Sequence, residues 1–267
     1  MFLLFHQLPL LPMFAAVLVI GLAVCWLVIA TVRTGVRLTG FVSGETLPVR
    51  ESIIGACTSL FALTVAFAAA GIWNDALNAR STVQREADAL ENATVLSAGL
   101  PADLRIKVLA DIKAYARSVV DVDWPEMARG GSLEDPVFDR SEKILLDLIE
   151  NLSAQPASVS QLPAFSGLMG QVLNVRHARV ARLVASNTGI SVAQWIAMLI
   201  ISITALIAIA LCNNQSLRMQ VMATHLYVLV VVAAYFVILA HDRPFVGAIS
   251  VKPLAFRSLL DGEIGPL

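Results

Sequence analysis

The chain has 267 residues, of which 57% are hydrophobic and only 15% charged. A soluble domain is about half apolar and about a quarter charged, so this composition excludes an ordinary soluble fold and indicates a membrane protein. The 19 basic and 20 acidic residues nearly cancel, which gives no reason to expect a nucleic-acid partner.

Four segments of the chain are apolar enough, and long enough at about 20 residues, to cross a bilayer as helices. They are residues 13–32, 52–73, 192–211 and 221–240. The middle of the chain is different, because 15 of the 20 acidic and 12 of the 19 basic residues lie between Asp75 and Arg182. We therefore predict an all-α integral membrane protein with four transmembrane helices and a helical extramembrane domain inserted between spans 2 and 3.

This interpretation divides the chain into four parts. They are a transmembrane hairpin (1–73), a water-facing helical domain (74–191), a second transmembrane hairpin (192–240) and a C-terminal tail that packs near the membrane boundary (241–267). The connection within the first hairpin contains the helix breakers Gly35, Gly40, Gly44 and Pro48. Four spans place both termini and the large domain on one side, but the arginines of the loops and tails do not decide which side.

Apolar residues recur at helical spacing through the water-facing domain. We predict that the second span continues as a helix to about Asn92 and that the next helix begins near Pro101. We expect that helix to end at Trp124-Pro125, because proline disfavours the helical conformation in the residue before it. Two more helices are expected at about 136–152 and 164–187, and a short extended piece is possible at 246–251.

Small residues follow one face of the second span, and two interpretations of this face stay open. Close packing of helices in lipid favours small residues at the contact, and the face is formed by Ser59, Ala62, Ala66 and Ala70. Alternatively, the helix lines a pore, and its hydroxyl groups and aromatic rings act as pore wall and hydrophobic constriction. The candidate pore-lining residues are Thr58, Ser59, Phe61, Ala62 and Phe67.

Polar residues continue at helical spacing directly after this span. Asn74, Asn78 and Arg85 follow one stripe, which is typical of a polar helix face at the water boundary. If the span lines a pore, the same three side chains are candidates for a vestibule that meets hydrated anions.

No sequence pattern indicates an enzyme, a cofactor or a metal site, since nucleophile-elbow, P-loop and zinc-ligand spacings are absent. The cysteines Cys25, Cys57 and Cys212 lie in or beside apolar runs, and we interpret them as small apolar side chains. Arg176, His177, Arg179 and Arg182 form a basic cluster. We interpret it as a helix surface facing water or lipid headgroups, with an anion or lipid-phosphate site as the alternative.

Three further segments give the chain a family resemblance. They are the run from Phe61 through Trp73-Asn74-Asp75 to Glu86-Ala87, the segment Tyr115-Ala116-Arg117 to Asp123-Trp124-Pro125-Glu126-Met127, and the closing Asp242-Arg243-Pro244-Phe245-Val246-Gly247. In this order they resemble the bacterial bestrophin-like domain membrane proteins. Trp124, Pro125, Asp242, Arg243, Pro244 and Phe245 are interpreted as structural motif residues, with Phe245 packing on the large domain.

True bestrophins are pentameric anion channels whose second helix lines the neck of the pore. The resemblance therefore implies a homo-oligomer in the bacterial inner membrane that passes inorganic anions. No acidic cluster like the calcium clasp of animal bestrophins is present, so calcium gating is not implied. The alternative hypothesis is a non-transporting membrane scaffold or sensor whose helical domain binds a protein partner.

Overall fold

The protein is represented by a computed structural model that describes residue 6 and residues 8–39, 47–131 and 134–262. These described residues form helices and turns and contain no β-strand, which confirms the prediction of an all-α fold. The α-helices in chain order are α1 (Leu10–Thr39), α2 (Leu47–Ser97), α3 (Ala102–Ser118), α4 (Trp124–Arg129), α5 (Asp139–Ser153), α6 (Ala157–Ser160), α7 (Pro163–Ser186), α8 (Val192–Cys212), α9 (Leu217–His241) and α10 (Leu254–Asp261).

Two compact units make up the chain. The first contains Met1–Asn74 and Gly189–Asp242, and the second contains Asp75–Thr188 and Arg243–Leu267. Within the part of the chain that the structure describes, four helices, α1, α2, α8 and α9, are long and apolar enough to cross a membrane, as the composition predicts. The protein is therefore a membrane protein.

Two of the residues predicted to break the helices between spans 1 and 2 lie within helices instead. Gly35 lies inside α1, and Pro48 lies in the first turn of α2, where a missing amide hydrogen costs no helical bond. The other two predicted breakers, Gly40 and Gly44, lie outside the described residues. Helix α2 continues without interruption to Ser97, five residues beyond the predicted end at Asn92.

Side chains from α1, α2, α8 and α9 form the apolar core of the first unit. Gly21 permits a close approach there, because a Cβ atom at this position would lie 2.6 Å from a methyl carbon of Val232. A polar bridge adds to this packing: Arg33 Nε donates a hydrogen bond to Gln220 Oε1 at 2.8 Å, and Gln220 Nε2 donates to the Ala210 carbonyl at 2.8 Å. The amide and the guanidinium are therefore satisfied inside the helical bundle.

The core of the second unit is built on α3, α5, α7 and the outer part of α2. Helix α5 shows why such segments fold as they do, because Leu145, Leu148 and Leu152 recur at helical spacing and are all buried. Gly130 ends α4 with a φ of 83°, a left-handed conformation that glycine adopts without steric cost.

The predicted helix end at Trp124-Pro125 is wrong. A π-helical turn, Val119–Asp123, joins α3 to α4, and the amide of Trp124 donates to the carbonyl of Val119, five residues earlier. Trp124 itself keeps helical angles of −63° and −48°. A π turn is wider than an α turn, so it relieves the usual conflict between a proline ring and the carbonyl four residues earlier. The helical path therefore continues through Pro125.

Residues 246–251 form turns rather than the extended piece considered above. The Val251 amide donates to the Pro244 carbonyl at 2.8 Å, and the Val246 amide donates to the Arg243 carbonyl at 3.3 Å. Gly247 has a φ of 87°, which lets the chain reverse within this short distance. Local hydrogen bonds therefore take the place of strand pairing.

Candidate functional site

Opposite sides of α2 have opposite environments inside the first unit. Ser59, Ala62 and Phe67 are exposed, Phe67 to 67%. Thr58 is half-buried, and its hydroxyl donates to the Ile54 carbonyl at 2.8 Å. The exposed small residues and Phe67 thus form a broad face, about 140° of the helix circumference, that no other part of the described unit covers.

Phe61 lies on the other side of this helix, although the sequence analysis grouped it with the pore-lining candidates. Its side chain is 5% exposed, and its ring makes edge-on contacts with Tyr227 and Tyr235 at centroid distances of 6.1 and 6.2 Å. The six-residue spacing between Phe61 and Phe67 corresponds to about 120° around a helix, so the two rings point in different directions. Phe61 is therefore a packing residue in this unit.

The three candidate vestibule residues, Asn74, Asn78 and Arg85, are all exposed. In the second unit, Arg85 folds back on its own helix and donates to the Ser81 carbonyl at 3.3 Å and to the Ser81 hydroxyl at 3.1 Å. These contacts are weak and local, so the guanidinium remains available to water and dissolved ions.

A buried charged cluster lies on the other side of the same part of α2. Arg182 is completely buried, and so are the carboxylates of Glu86 and Asp123. Arg182 Nε donates to Glu86 Oε2 at 2.7 Å, and Nη2 donates to Asp123 Oδ2 at 2.9 Å. Glu86 also accepts a hydrogen bond from the Tyr115 hydroxyl, which lies 2.6 Å from Glu86 Oε1. Charges this deeply buried are tolerated only when they are paired and hydrogen-bonded.

The pKa values in this cluster follow from burial and from the paired charges. Burial alone lowers the pKa of Arg182, but the attraction of Glu86 and Asp123 outweighs it and raises that pKa above its usual value. Burial and then the charge of Glu86 raise the pKa of Tyr115 well above its usual value. Arg182 is therefore a permanent cation, and Tyr115 is a neutral hydrogen-bond donor.

A second arginine extends the cluster. Arg179 donates to the Ser141 hydroxyl at 3.1 Å and to Glu142 Oε2 at 2.6 Å. The Ser141 hydroxyl donates in turn to the two Asp123 oxygens, each at 3.0 Å. Arg176 also binds Glu142, at 2.9 Å. Three arginines and three carboxylates thus balance in one network.

The interpretation of the basic cluster as a solvated or headgroup-facing surface is wrong for Arg179 and Arg182. Arg176 and His177 are exposed as expected, but the other two arginines are buried. The sequence contained a signal for this arrangement. Leu168, Val172 and Val175 form the buried stripe of α7, and Arg179 and Arg182 continue it at the same spacing of three and four residues. Arginines that replace apolar residues in such a stripe require buried partners.

The aromatic motif residues surround this cluster. Trp124 lies 5.7 Å from the guanidinium carbon of Arg182, a distance suited to a cation–π contact. Its indole nitrogen donates to the Val251 carbonyl at 3.2 Å, and its ring contacts Phe245 edge-on at 5.6 Å. Pro125 follows in the first turn of α4. The C-terminal segment therefore packs on the helix that carries Trp124.

The remaining motif residues have separate contacts. In the first unit, Asp242 Oδ1 accepts a hydrogen bond from the Ile190 amide at 2.7 Å, and Oδ2 lies 3.1 Å from His6 Nε2. In the second unit, Arg243 donates to the Asn187 carbonyl at 3.4 Å. Pro244 contributes its carbonyl to the turn described above. Each of these contacts fixes the path of the backbone at a chain connection.

Comparisons with known proteins place this architecture in a family. The fold is similar to crystal structures of two variants of a bacterial bestrophin homologue from Klebsiella pneumoniae. One has a TM-score of 0.67 at 13% identity and covers 94% of this chain and 98% of that chain. The other has a TM-score of 0.69 at 11% identity and covers 94% and 97%. A third crystal structure, of a membrane protein, has a TM-score of 0.68 at 11% identity and covers 94% and 96%.

At such low identity, these structural similarities establish the fold alone. No curated protein matches the sequence. The model of the bestrophin-like domain, however, matches residues 20–256. Because this match covers most of the chain, the protein belongs to the bestrophin-like family.

Proposed function

We propose that the protein is a subunit of an oligomeric ion channel, that it has no catalytic role, and that the second span lines the pore. The observation that supports this proposal is the uncharged face of α2 with Ser59, Ala62 and Phe67, which is exposed while the opposite side packs through Phe61. Copies of the chain arranged around an axis would bring this face together from several subunits. Membership of the bestrophin-like family supports the same assignment.

Phe67 is the residue that we propose as the constriction. Its ring is bulky, apolar and exposed, and rings of such side chains gate narrow pores by excluding water. Leu60 and Leu63 are also exposed on the two preceding turns, but Phe67 carries the bulkiest side chain of this stretch. Thr58 and Ser59 supply hydroxyl groups about two turns before Phe67 on the same helix.

We propose that the channel prefers anions. Asn74 and Asn78 present amide donors, and Arg85 presents a guanidinium that makes only local contacts. Hydrogen-bond donors and a fixed positive charge favour anions over cations near a pore entrance. These side chains would act as the vestibule that follows the uncharged span.

Ion currents through purified protein in a planar bilayer test this proposal. Replacing Phe67 with Ala removes the ring, so single-channel conductance should rise or closures should become rarer. A matched control is Leu226→Ala, because Leu226 is exposed to a similar degree on α9 and should not change the current. If both variants assemble normally and carry the parent current, Phe67 does not line a pore.

Charge selectivity provides a separate test. Arg85→Gln should shift the reversal potential in a salt gradient towards weaker anion preference, whereas Arg105→Gln, at another exposed arginine of the second unit, should not. Equal shifts in both variants would indicate a general surface-charge effect instead of a vestibule.

The alternative function is a non-transporting scaffold or sensor whose helical domain binds a protein partner. Its supporting observation is that the same face is rich in small residues, which favour helix–helix packing in lipid. In that case Ser59→Leu should dissociate the oligomer, and Phe67→Ala should destabilise it, while no current is measured from the parent protein.

We further propose a four-span topology in a bacterial inner membrane, with both termini and the domain at residues 74–191 on one side. The four apolar helices among the described residues support an even number of crossings. Reporter fusions at Met1, within the domain and at Leu267 should all report the same compartment. Fusions at the two termini that report opposite compartments would contradict this topology.

A further inference from the structure

An apolar cavity lies inside the first unit, between helices α1, α8 and α9. Its volume is about 190 Å³, and its walls include Val24 of α1, Leu206 of α8 and Val231 of α9. The spacing between the three helices differs from pair to pair. Helices α1 and α9 approach closely at Gly21 and Val232, while the rings of Trp195 and Tyr235, 6.1 Å apart, separate α8 from α9.

The chemistry of the walls selects an apolar occupant. The hydroxyl groups of Ser202 and Tyr235 lie 2.9 Å apart and hydrogen-bond each other, and the Tyr227 hydroxyl donates to the Ser202 carbonyl at 3.4 Å. These groups are therefore satisfied by the protein. The lining side chains that the structure describes carry no charge. An apolar space of this kind does not hold ordered water, because water requires two to four polar partners.

The position of the cavity identifies which apolar molecule is available. Its rim includes Ile20, Leu199 and Ile203, which are exposed on the outside of the helices. All three lie near the middle of their spans, so the rim faces the hydrocarbon core of the bilayer. At that depth the surrounding molecules are the acyl chains of membrane lipids.

We infer that this cavity binds one acyl chain of a membrane lipid. An acyl chain has no polar atoms to satisfy and is flexible enough to enter between Ile20 and Ile203. It would restore the dispersion contacts that the helices lack across the cavity. This inference does not depend on ion conduction by the protein.

Quenching of Trp195 fluorescence tests the inference, because this side chain lines the cavity. The full chain with Trp26→Phe and Trp73→Phe is reconstituted into nanodiscs of dibromostearoyl phosphatidylcholine, whose bromines lie at mid-chain and quench on contact. A version that also carries Trp195→Phe gives the signal of Trp124, which is subtracted. We expect strong quenching of Trp195 relative to nanodiscs of the unbrominated lipid.

A cavity-filling variant distinguishes a bound chain from bulk lipid. Val24→Phe should remove most of the quenching, whereas Val19→Phe, at an exposed position of the same helix outside the cavity lining, should leave it unchanged. Equal quenching in all three proteins would overturn the proposal, as would an unquenched parent, which is the result expected if a second copy of the chain covers the rim.

Two measures keep the test decisive if Val24→Phe does not assemble. Val231→Phe fills the same cavity from α9. Native mass spectrometry of the parent protein should retain one phospholipid per subunit after mild delipidation, and complete loss of lipid under conditions that preserve the oligomer would contradict an acyl-chain site.

Discussion

Replacing Arg182 with Met should destabilise the second unit more than any other single change at its surface or in its loops. The side chain is fully buried, and its removal breaks the hydrogen bonds to Glu86 and Asp123. Methionine replaces the aliphatic part of the arginine side chain but not its guanidinium, so the main effect is that two carboxylates stay buried without their cation. Breaking a buried pair in this way costs about 3–5 kcal/mol of unfolding free energy.

The magnitude can be compared with a matched change on the same helix. Arg176 also binds a carboxylate, that of Glu142, but its side chain is 45% exposed. Exposed ion pairs contribute about 0–1 kcal/mol, so Arg176→Met should have little effect. The difference between the two losses of unfolding free energy measures the effect of burying the ion pair, since both variants remove one arginine from α7.

The assay is urea unfolding of the full chain in mild detergent, followed by the fluorescence of Trp124, which lies beside Arg182. Replacing the exposed Trp26 and Trp73 with Phe reduces the signal from the first unit. Adding Glu86→Gln to Arg182→Met should recover part of the lost stability, because it removes one of the two unpaired charges. If Arg182→Met and Arg176→Met cost the same, or if Glu86→Gln only adds to the loss, the buried charges do not govern stability.

Three other predictions follow from the packing and the charges. Phe61→Ala should lower the free energy of unfolding by up to about 3 kcal/mol. This is the lower end of the range for soluble cores, because a side chain that leaves the core of a membrane protein enters lipid instead of water. The variant that folds should keep the parent's unitary conductance. Gly21→Ala should cost about 1–3 kcal/mol of unfolding free energy by forcing Val232 to move. Gly71→Ala, with open space around it, should be neutral or stabilising in the same urea unfolding assay. Burial, and then the nearby negative charge of Asp147, raises the pKa of Asp111. A raised carboxyl pKa makes the folded state less stable as the pH rises, so Asp111→Asn should increase the melting temperature at pH 7. The gain should vanish as the pH falls below the usual range of aspartate pKa values. A gain that does not depend on pH would contradict this assignment.

The sequence alone determined the features that depend on local composition. Each of the four apolar helices is visible as an uncharged run or a nearly uncharged one, since a helix in lipid must supply its own apolar surface. The helical character of the middle segment followed from the spacing of residues such as Leu145, Leu148 and Leu152. The order of the motif segments indicated the family, which the match over residues 20–256 confirms.

Features that depend on distant neighbours were decided only by the tertiary structure. The sequence could not show that Phe61 faces Tyr227 and Tyr235 while Phe67 remains exposed, because both are phenylalanines in one apolar run. Rules for single residues also failed at Pro125, where a π turn removes the steric conflict that the prediction relied on.

The buried arginines are the clearest case of a tertiary decision. Arg182 is separated from Glu86 by 96 residues and from Asp123 by 59, so no local pattern could reveal that these charges meet. An arginine is placed at the surface by default because burying its charge alone is very unfavourable. That default changes only when the fold brings carboxylates to it, and the partners become known only when α2, α7 and the π turn are seen together.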